Sequence, residues 1–298
     1  MMNIVGLQAL YSVSAIINKQ LVVLAHPLVV VVARMFIVGL LLYAYEWYKQ
    51  KRPPLLQKQH IFYFIYIAVC GMLLRKFFYY WALSYTPVTK VSLILNCTPF
   101  CIGLIAHCWQ KKTLTRLQWV SLLIAFIGTA PILFVDACAE TVIKGLFITW
   151  TDLALIAGIF LYSVSVLLMQ HLIVEHKYPS SVVYALSALG CGFFGVTMLS
   201  ITKYSSQLEY TFFMLGLFCC LILINFFCGN AYYRLLQTHS ATLLALTDCL
   251  GPIFVAVYSA FLFGDHFTWH YYTAAFLVSF ALYLFYRDEL LQKNMRIH

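Results

Sequence analysis

Charged residues are scarce in this 298-residue chain: Asp, Glu, Lys and Arg together make up 10% of it, whereas 63% of the residues are apolar. Soluble domains carry roughly 25% charged residues, which help to cover their water-facing surface. The mean hydropathy of +0.87 points the same way. Because so few charges cannot cover a large water-facing surface, the composition excludes a soluble globular fold.

Common enzyme and metal-binding motifs are also missing. The sequence has no GxxxxGK[ST], GxSxG or HExxH motif, and its ten cysteines form no paired CxxC sites. Nine of the cysteines lie in or beside apolar runs, where cysteine acts as a small hydrophobe. We therefore expect no enzyme activity, no cofactor and no metal. The first residues, Met-Met-Asn, lack the basic start of a signal peptide, so we expect the first apolar run to remain in the mature protein.

Long apolar runs are what the chain has instead. About 20 helical residues, at ~1.5 Å each, cross a hydrocarbon core of ~30 Å, and a segment in lipid must satisfy its own backbone hydrogen bonds. The pattern predicts an all-α polytopic membrane protein whose surroundings are the lipid bilayer. The ten predicted spans are 3–24, 27–48, 61–84, 87–109, 117–136, 151–173, 180–202, 211–236, 239–263 and 268–286.

Basic residues are distributed unevenly among the predicted loops. With the N-terminus in the cytoplasm, eleven basic residues fall on the cytoplasmic side and two, Lys144 and Lys203, on the outer side. This asymmetry predicts cytoplasmic N- and C-termini in an inner or plasma membrane. It also accounts for the net charge of +9 without a nucleic-acid partner.

A diverged duplication organises the chain. The stretch 77–116 returns 153 residues later, so that Tyr79-Tyr80 matches Tyr232-Tyr233 and Pro99 matches Pro252. The segment LYSVS at 10–14 also recurs at 161–165. These matches predict two five-helix repeats, 1–140 and 141–298, within one integral membrane domain. Since five is odd, the second repeat starts outside and is inverted, as in many secondary transporters.

Basic residues inside the predicted spans are candidates for function, because a charge in hydrocarbon is costly unless it is solvated or paired. Five of them, with no acid beside them in the spans, form what we call the basic funnel: Lys19, Arg34, Arg75, Lys76 and Lys90. Lys90 and the sixth, Arg234, lie near span ends and can reach the interface. Arg75 lies about 14 residues into its span, one turn before Tyr79, which favours a functional role. For Lys19 and Lys76, binding to backbone carbonyls or headgroups is an equal alternative.

Two polar residues lie beside prolines at mid-depth, one in each repeat. Asn96 precedes Pro99 by three residues, and Asp248 precedes Pro252 by four, so we expect the proline to leave the Asp248 carbonyl unpaired. The pattern indicates a binding site at the repeat interface. Hydrogen bonding between helices is the alternative for both residues, and proton coupling is a further one for Asp248.

Tyrosines and small polar groups in the matched spans complete the candidate set. Their rings could stack on a ligand, although packing is the alternative role for each. The candidate substrate-binding residues are Arg75, Lys76, Lys19, Tyr79, Asn96, Asp248, Asn230 and Tyr233.

The arrangement of these motifs resembles the drug/metabolite transporter superfamily, and in particular its EamA-type ten-helix carriers. The first half carries the matching stretches 82–86, 92–95, Thr98-Pro99 and 111–115, with Trp119 and Gly128; the second half repeats the pattern at 235–245, Gly251-Pro252, 263–265 and Thr268. Gln110-Lys111-Lys112 stands where the family usually has Gly-Glu, and the Arg75-Lys76 pair is unusual for its hydrophobic exporters.

The resemblance implies a secondary transporter with a central cavity that opens alternately to either side. A basic funnel with one carboxylate and several aromatics suits a small solute bearing a carboxylate or phosphate, a cationic centre and a flat ring. Amino-acid or nucleoside-type solutes fit, and S-adenosylmethionine is the leading specific candidate. A flippase for lipid-linked substrates and a structural membrane subunit are the alternatives, and assembly as a homodimer is left open.

The predicted topology can be tested by cysteine-accessibility labelling in sealed vesicles. Single cysteines placed at 49–58 and at 111–116 should react only from the cytoplasmic side. Labelling of these segments from the outer face would contradict the inverted repeat as well as the orientation.

Overall fold

The structure is a computed structural model that describes residues 2–24, 26–51, 57–86, 88–110, 114–135, 149–201, 212–263 and 269–295. All regular secondary structure in these residues is helical. The α-helices are Met2–Leu24, Pro27–Gln50, Ile61–Tyr66, Arg75–Tyr85, Val88–Leu95, Thr98–Gln110, Arg116–Val135, Trp150–Val174, Ser180–Ile201, Phe212–Leu235, Ala241–Thr247, Gly251–Phe263 and Trp269–Met295. Two 3₁₀ turns (Lys58–His60, Asp248–Leu250) and one π-helix (Ile67–Leu74) join some of them.

Six helical stretches among the described residues are long and apolar enough to cross a membrane. They are Pro27–Lys49, Lys58–Leu83, Trp150–Val174, Ser180–Ser200, Phe212–Leu235 and Ala241–Phe261, and Ile4–Asn18 and Thr98–Trp109 are shorter apolar helices. The prediction of an all-helical polytopic membrane protein is therefore confirmed. Every one of the ten predicted spans contains helix, but the count of ten membrane crossings and their inversion stay predictions.

The chain divides into two compact units. The first comprises Met1–Ser12, Ala82–Phe160 and His239–His298, and the second comprises Val13–Trp81 and Leu161–Thr238. Each unit thus combines a segment of the predicted repeat 1–140 with a segment of the predicted repeat 141–298. The repeat boundaries describe the duplication of the sequence and stay a prediction.

Close helix packing in the second unit depends on glycine. The helices Pro27–Gln50 and Ser180–Ile201 approach so closely that a Cβ at Gly192 would lie 2.8 Å from the backbone Cα of Phe36. Gly39 meets the backbone nitrogen of Leu189 in the same way, at 2.7 Å from the position of a Cβ. Small residues bring apolar helices together here because lipid offers no hydrophobic driving force for their association.

Helix starts in the first unit are capped by side chains. The Thr115 hydroxyl accepts a hydrogen bond from the Gln118 N–H, and the Gln118 side chain accepts one from the Thr115 N–H, both at 3.2 Å. This reciprocal capping box satisfies two backbone donors at the start of the helix Arg116–Val135. The Thr115 hydroxyl also donates to Asp288 at 2.7 Å, which ties the cap to the last helix.

A second cap uses the neighbouring acid of the last helix. The Ser240 hydroxyl accepts from the Leu243 N–H at 3.2 Å and donates to the Glu289 carboxylate at 2.8 Å. The other Glu289 oxygen accepts from the Ser240 N–H at 2.9 Å. Asp288 and Glu289 therefore hold two helix starts that are far apart in the chain.

Both mid-span prolines are accommodated without an unpaired carbonyl. Pro99 cannot donate to the carbonyl of Leu95, and the Thr98 hydroxyl donates to that oxygen instead, at 2.5 Å. The carbonyl of Asp248, four residues before Pro252, accepts from the Gly251 N–H in the 3₁₀ turn Asp248–Leu250. The expectation that the Asp248 carbonyl is unpaired is therefore wrong, because a tighter turn supplies another donor.

The basic funnel also needs a correction, because Lys90 has an acidic partner. Its Nζ lies 2.6 Å from Oδ2 of Asp152, and their side chains are 17% and 4% exposed. The same oxygen accepts from the Thr149 N–H at 2.7 Å and so caps the helix Trp150–Val174. The sequence alone did not show this pairing, because Asp152 lies 62 residues from Lys90 along the chain. Lys90 thus belongs to a structural ion pair.

The Lys90–Asp152 pair should behave as a unit in stability measurements. Lys90→Met or Asp152→Asn alone should lower the apparent melting temperature, because each leaves a largely buried charge unpaired; the cost is about 3 kcal/mol. The asparagine keeps an acceptor for the Thr149 N–H, so the change isolates the ion pair. The double variant should recover most of the loss.

Thermal unfolding of the detergent-solubilised protein measures this, with Lys49→Met as the matched control at an exposed lysine. Equal and additive losses in the two single variants would contradict the paired arrangement.

Candidate functional site

The candidate substrate-binding residues are divided between the two units. Asn96 and Asp248 lie in the first. Those in the second are Lys19, Arg75, Lys76, Tyr79, Asn230 and Tyr233. Lys19 lies within the helix Met2–Leu24, but its side chain is outside the described part of the structure.

Arg75 lies against an aromatic ring. It begins the helix Arg75–Tyr85, directly after the π-helix Ile67–Leu74, a rare irregularity that is common at functional sites. Its guanidinium carbon Cζ is 3.5 Å from the centroid of the Tyr162 ring. This is a cation–π contact, which offsets part of the cost of keeping the charge within a span. A planar guanidinium over a ring still presents its edge N–H donors to a ligand.

Lys76 turns to a different ring. Its Nζ lies 5.9 Å from the centroid of Tyr79, a longer contact than that of Arg75. The two contacts agree with the separation of about 100° between successive residues on a helix. Tyr79 also has Arg75 within electrostatic range, and its ring lies 5.1 Å from that of Tyr80.

Tyr233 is the buried aromatic partner in this unit. Its ring stacks on that of Tyr184, with centroids 4.7 Å apart and an interplanar angle of 28°. Both side chains are 4% exposed. The Tyr184 hydroxyl donates to the Asn225 carbonyl at 3.3 Å, and the Tyr184 ring occupies the space where a Cβ of Gly229 would stand. Glycine at 229 therefore makes room for the stacked pair.

Tyr162 connects these groups. It bears the Arg75 guanidinium on its face and also lies within electrostatic range of Tyr233. Tyr162, which sequence reasoning had not selected, thus links Arg75 to Tyr233 in the second unit, and Tyr79 lies within electrostatic range of Arg75. The repeated LYSVS segment, which contains Tyr162, was the available clue.

Arg34 is a further residue of this group that the candidate set omitted. It is 4% exposed, and its Nη1 donates to Asn18 Oδ1 at 3.2 Å. Asn18 in turn donates to the Ser14 carbonyl at 2.7 Å. Arg34 lies within electrostatic range of both Tyr80 and Tyr184. Its membership in the basic funnel was the clue in the sequence.

The two candidates of the first unit have different surroundings. Asn96 lies in the break between the helices Val88–Leu95 and Thr98–Gln110, and its Nδ2 donates to the Thr129 hydroxyl at 3.2 Å. This is the kind of contact that interhelical bonding predicts for it. Asp248 opens the 3₁₀ turn before Gly251 and is solvent-accessible.

Substitutions at Arg75 should separate the roles of charge and shape. Arg75→Ala should fold but lose transport by about tenfold or more, and Arg75→Lys should retain only part of it, because an ammonium cannot stack flat on Tyr162 while presenting two parallel donors. Counterflow in proteoliposomes measures this, with size-exclusion chromatography as the folding control. Exposed Arg116→Ala is the matched control variant. Normal transport by a monodisperse Arg75→Ala protein would contradict the role assigned to this residue.

Comparisons with known proteins agree with the membrane fold. Residues 1–134 match the model of the EamA-like transporter family. The S-adenosylmethionine/S-adenosylhomocysteine transporter of Chlamydia muridarum (strain MoPn / Nigg) is 22% identical over 289 residues, which cover 95% of this chain and 90% of that protein. A solved crystal structure of another protein is similar in fold, with a TM-score of 0.73, 15% identity, and coverage of 99% of this chain and 96% of that chain.

The matched residues 1–134 include the whole basic funnel and Pro99. Both the family and the Chlamydia muridarum relative are transporters rather than enzymes. Residues 1–134 therefore match the EamA-like transporter family, as the resemblance to the drug/metabolite transporter superfamily predicted from the sequence.

Proposed function

We propose that this protein is a secondary transporter that moves a small charged or zwitterionic metabolite across its membrane by alternating access, with S-adenosylmethionine as the leading substrate. The observation that carries the proposal is the cluster in the second unit where the Arg75 guanidinium lies 3.5 Å over Tyr162, itself near the stacked pair Tyr184 and Tyr233. The similarity to a transporter of S-adenosylmethionine and S-adenosylhomocysteine supports the choice of substrate.

The chemistry of this cluster suits such a substrate. S-adenosylmethionine carries a carboxylate, an ammonium, a sulfonium and an adenine ring. Arg75 and Lys76 supply cationic donors for the carboxylate, and the tyrosine rings supply faces for the adenine. Keeping several cations within apolar helices is costly, and an anionic ligand group would offset that cost.

The proposed architecture is ten helices in two inverted repeats. The positive-inside distribution supports it, and so does the way each compact unit draws on both sequence repeats. In secondary transporters of this build, one set of helices moves against the other around a site near the midplane. The substrate-binding roles of Arg75, Lys76, Lys19, Tyr79, Asn96, Asp248, Asn230 and Tyr233 are part of this proposal.

The proposal is tested by counterflow in proteoliposomes loaded with unlabelled solute. Labelled S-adenosylmethionine should accumulate in exchange for internal S-adenosylmethionine or S-adenosylhomocysteine, and much less for an amino acid, a nucleotide or a sugar phosphate. Protein-free liposomes are the control. Counterflow with another of these solutes would replace the substrate, whereas lipid scrambling without solute counterflow would favour a flippase. The absence of both counterflow and lipid scrambling would favour a structural membrane subunit.

Asp248 separates three mechanisms. If its carboxylate binds the substrate cation, as we propose, Asp248→Asn should abolish binding across the usable pH range. If it carries a coupling proton, the asparagine variant should still bind and exchange substrate but lose its response to a pH gradient. If it serves only packing, transport per folded molecule should be unchanged while thermal stability falls.

Isothermal titration and counterflow on the same preparations distinguish these outcomes. Asp288→Asn is the matched control, because that carboxylate accepts from Thr115 at a helix cap and has no assigned role in binding. Wild-type affinity in Asp248→Asn would contradict the direct role.

A further inference from the structure

On the helices Ser180–Ile201 and Phe212–Leu235 of the second unit, three buried polar atoms have no hydrogen-bond partner among the described residues. They are Oγ of Ser187, Oδ1 of Asn230 and Oη of Tyr233. An unpaired polar atom away from water costs free energy, so folded proteins pair nearly all of them. Three such atoms on two packed helices therefore indicate a missing partner.

Two of these atoms share one helix face. Asn230 and Tyr233 are three residues apart on the helix Phe212–Leu235, and side chains at this spacing are neighbours. Long helical side chains also lean toward the N-terminus, so the Tyr233 ring covers the turn that bears Asn230. The acceptor of Asn230 and the hydroxyl of Tyr233 thus belong to one patch.

The third atom comes from the neighbouring helix Ser180–Ile201. Ser187 lies three residues after Tyr184 and four before Cys191, and this spacing places all three on one stripe of the helix. Tyr184 stacks on Tyr233, and Cys191 lies within electrostatic range of Tyr233. The stripe that carries Ser187 therefore faces the patch on the other helix.

Other polar groups on the same two helices are satisfied within the protein. The Tyr184 hydroxyl donates to the Asn225 carbonyl at 3.3 Å, and Asn225 Nδ2 donates to the Leu221 carbonyl at 2.7 Å. The packing of these two helices can therefore pair buried polar groups. The unpaired set lies on the two helices that bear the stacked rings of Tyr184 and Tyr233.

We propose that Ser187, Asn230 and Tyr233 recognise the amino-substituted edge of a heteroaromatic ring, of the aminopurine class. Asn230 Oδ1 accepts a hydrogen bond from the exocyclic amino group, while the hydroxyls of Tyr233 and Ser187 donate to ring nitrogens. This inference rests on the proposed function, because it places the ring of the transported solute in the same unit as Arg75.

Other ligand groups fit this set less well. A carboxylate brings no donor to Asn230 Oδ1. A cationic group of the ligand would be repelled by Arg34, Arg75 and Lys76 in the same unit. A neutral flat ring with a donor and acceptors on one edge meets the three atoms and also stacks on tyrosine.

The first part of the test measures ring specificity. The probes are S-adenosylhomocysteine, its 6-oxo counterpart S-inosylhomocysteine, adenosine and inosine, with affinities from isothermal titration on the purified full chain. Wild-type protein should bind each 6-amino probe at least about tenfold more tightly than its 6-oxo counterpart, because a carbonyl facing Asn230 Oδ1 sets acceptor against acceptor. Asn230→Leu should abolish this preference, and Tyr233→Phe and Ser187→Ala should each weaken binding of the 6-amino probes.

The second part measures stability without ligand. Tyr233→Phe and Ser187→Ala should leave the melting temperature unchanged or raised, because they remove unpaired atoms. The matched control is Tyr184→Phe, which removes a paired hydroxyl and should lower it. A fall in melting temperature for Tyr233→Phe as large as that for Tyr184→Phe would overturn the inference. It would show that the Tyr233 hydroxyl has a hydrogen-bond partner within the protein.

The outcomes also separate this inference from the proposed function. Equal affinity for 6-amino and 6-oxo probes, or no binding of any probe, overturns the inference. Loss of S-adenosylhomocysteine binding with a retained preference for adenosine over inosine overturns the proposed substrate and upholds the ring-recognition site.

Discussion

The backbone of this protein must satisfy its own hydrogen bonds, and this constraint explains most of its local structure. Lipid offers no substitute donors or acceptors, so a break in a helix needs a repair from nearby. At Pro99 the repair is a hydroxyl, that of Thr98, on the carbonyl of Leu95. At Pro252 it is a 3₁₀ turn, in which the Gly251 N–H takes the carbonyl of Asp248. Matching positions of the duplicated sequence thus use different chemistry.

A charged side chain among apolar helices also needs a partner, and the kind of partner indicates the role of the charge. Lys90 pairs with Asp152, whose carboxylate also accepts from the Thr149 N–H at a helix start. The charge of Lys90 therefore stabilises the fold. Arg34 donates to Asn18, an uncharged acceptor. Arg75 lies on the face of Tyr162, an arrangement that offsets its burial without neutralising it. A cation left with its full charge inside an apolar helix bundle can attract an anionic solute.

Buried polar atoms extend this reasoning from charges to neutral groups. The protein pairs Tyr184 with a backbone carbonyl but leaves the hydroxyl of Tyr233, stacked directly upon it, without a described partner. Two adjacent tyrosines in one stack therefore differ in what they can offer a ligand. The contrast arises from their positions relative to Asn225, since both rings are equally buried.

The sequence by itself determined the class of the protein, its helical segments and its resemblance to EamA-type carriers, because composition, apolar run length and local motifs are properties of short stretches. It also singled out Arg75 as a candidate. It could not determine which residues meet. The contact of Arg75 with Tyr162 and the pair of Lys90 with Asp152 join residues that are far apart in the chain. Apolar spans carry little pattern that specifies their neighbours, because lipid-facing and packed positions are both apolar. Only the tertiary structure therefore decided the partners of these cations and the division of the candidate residues between two units.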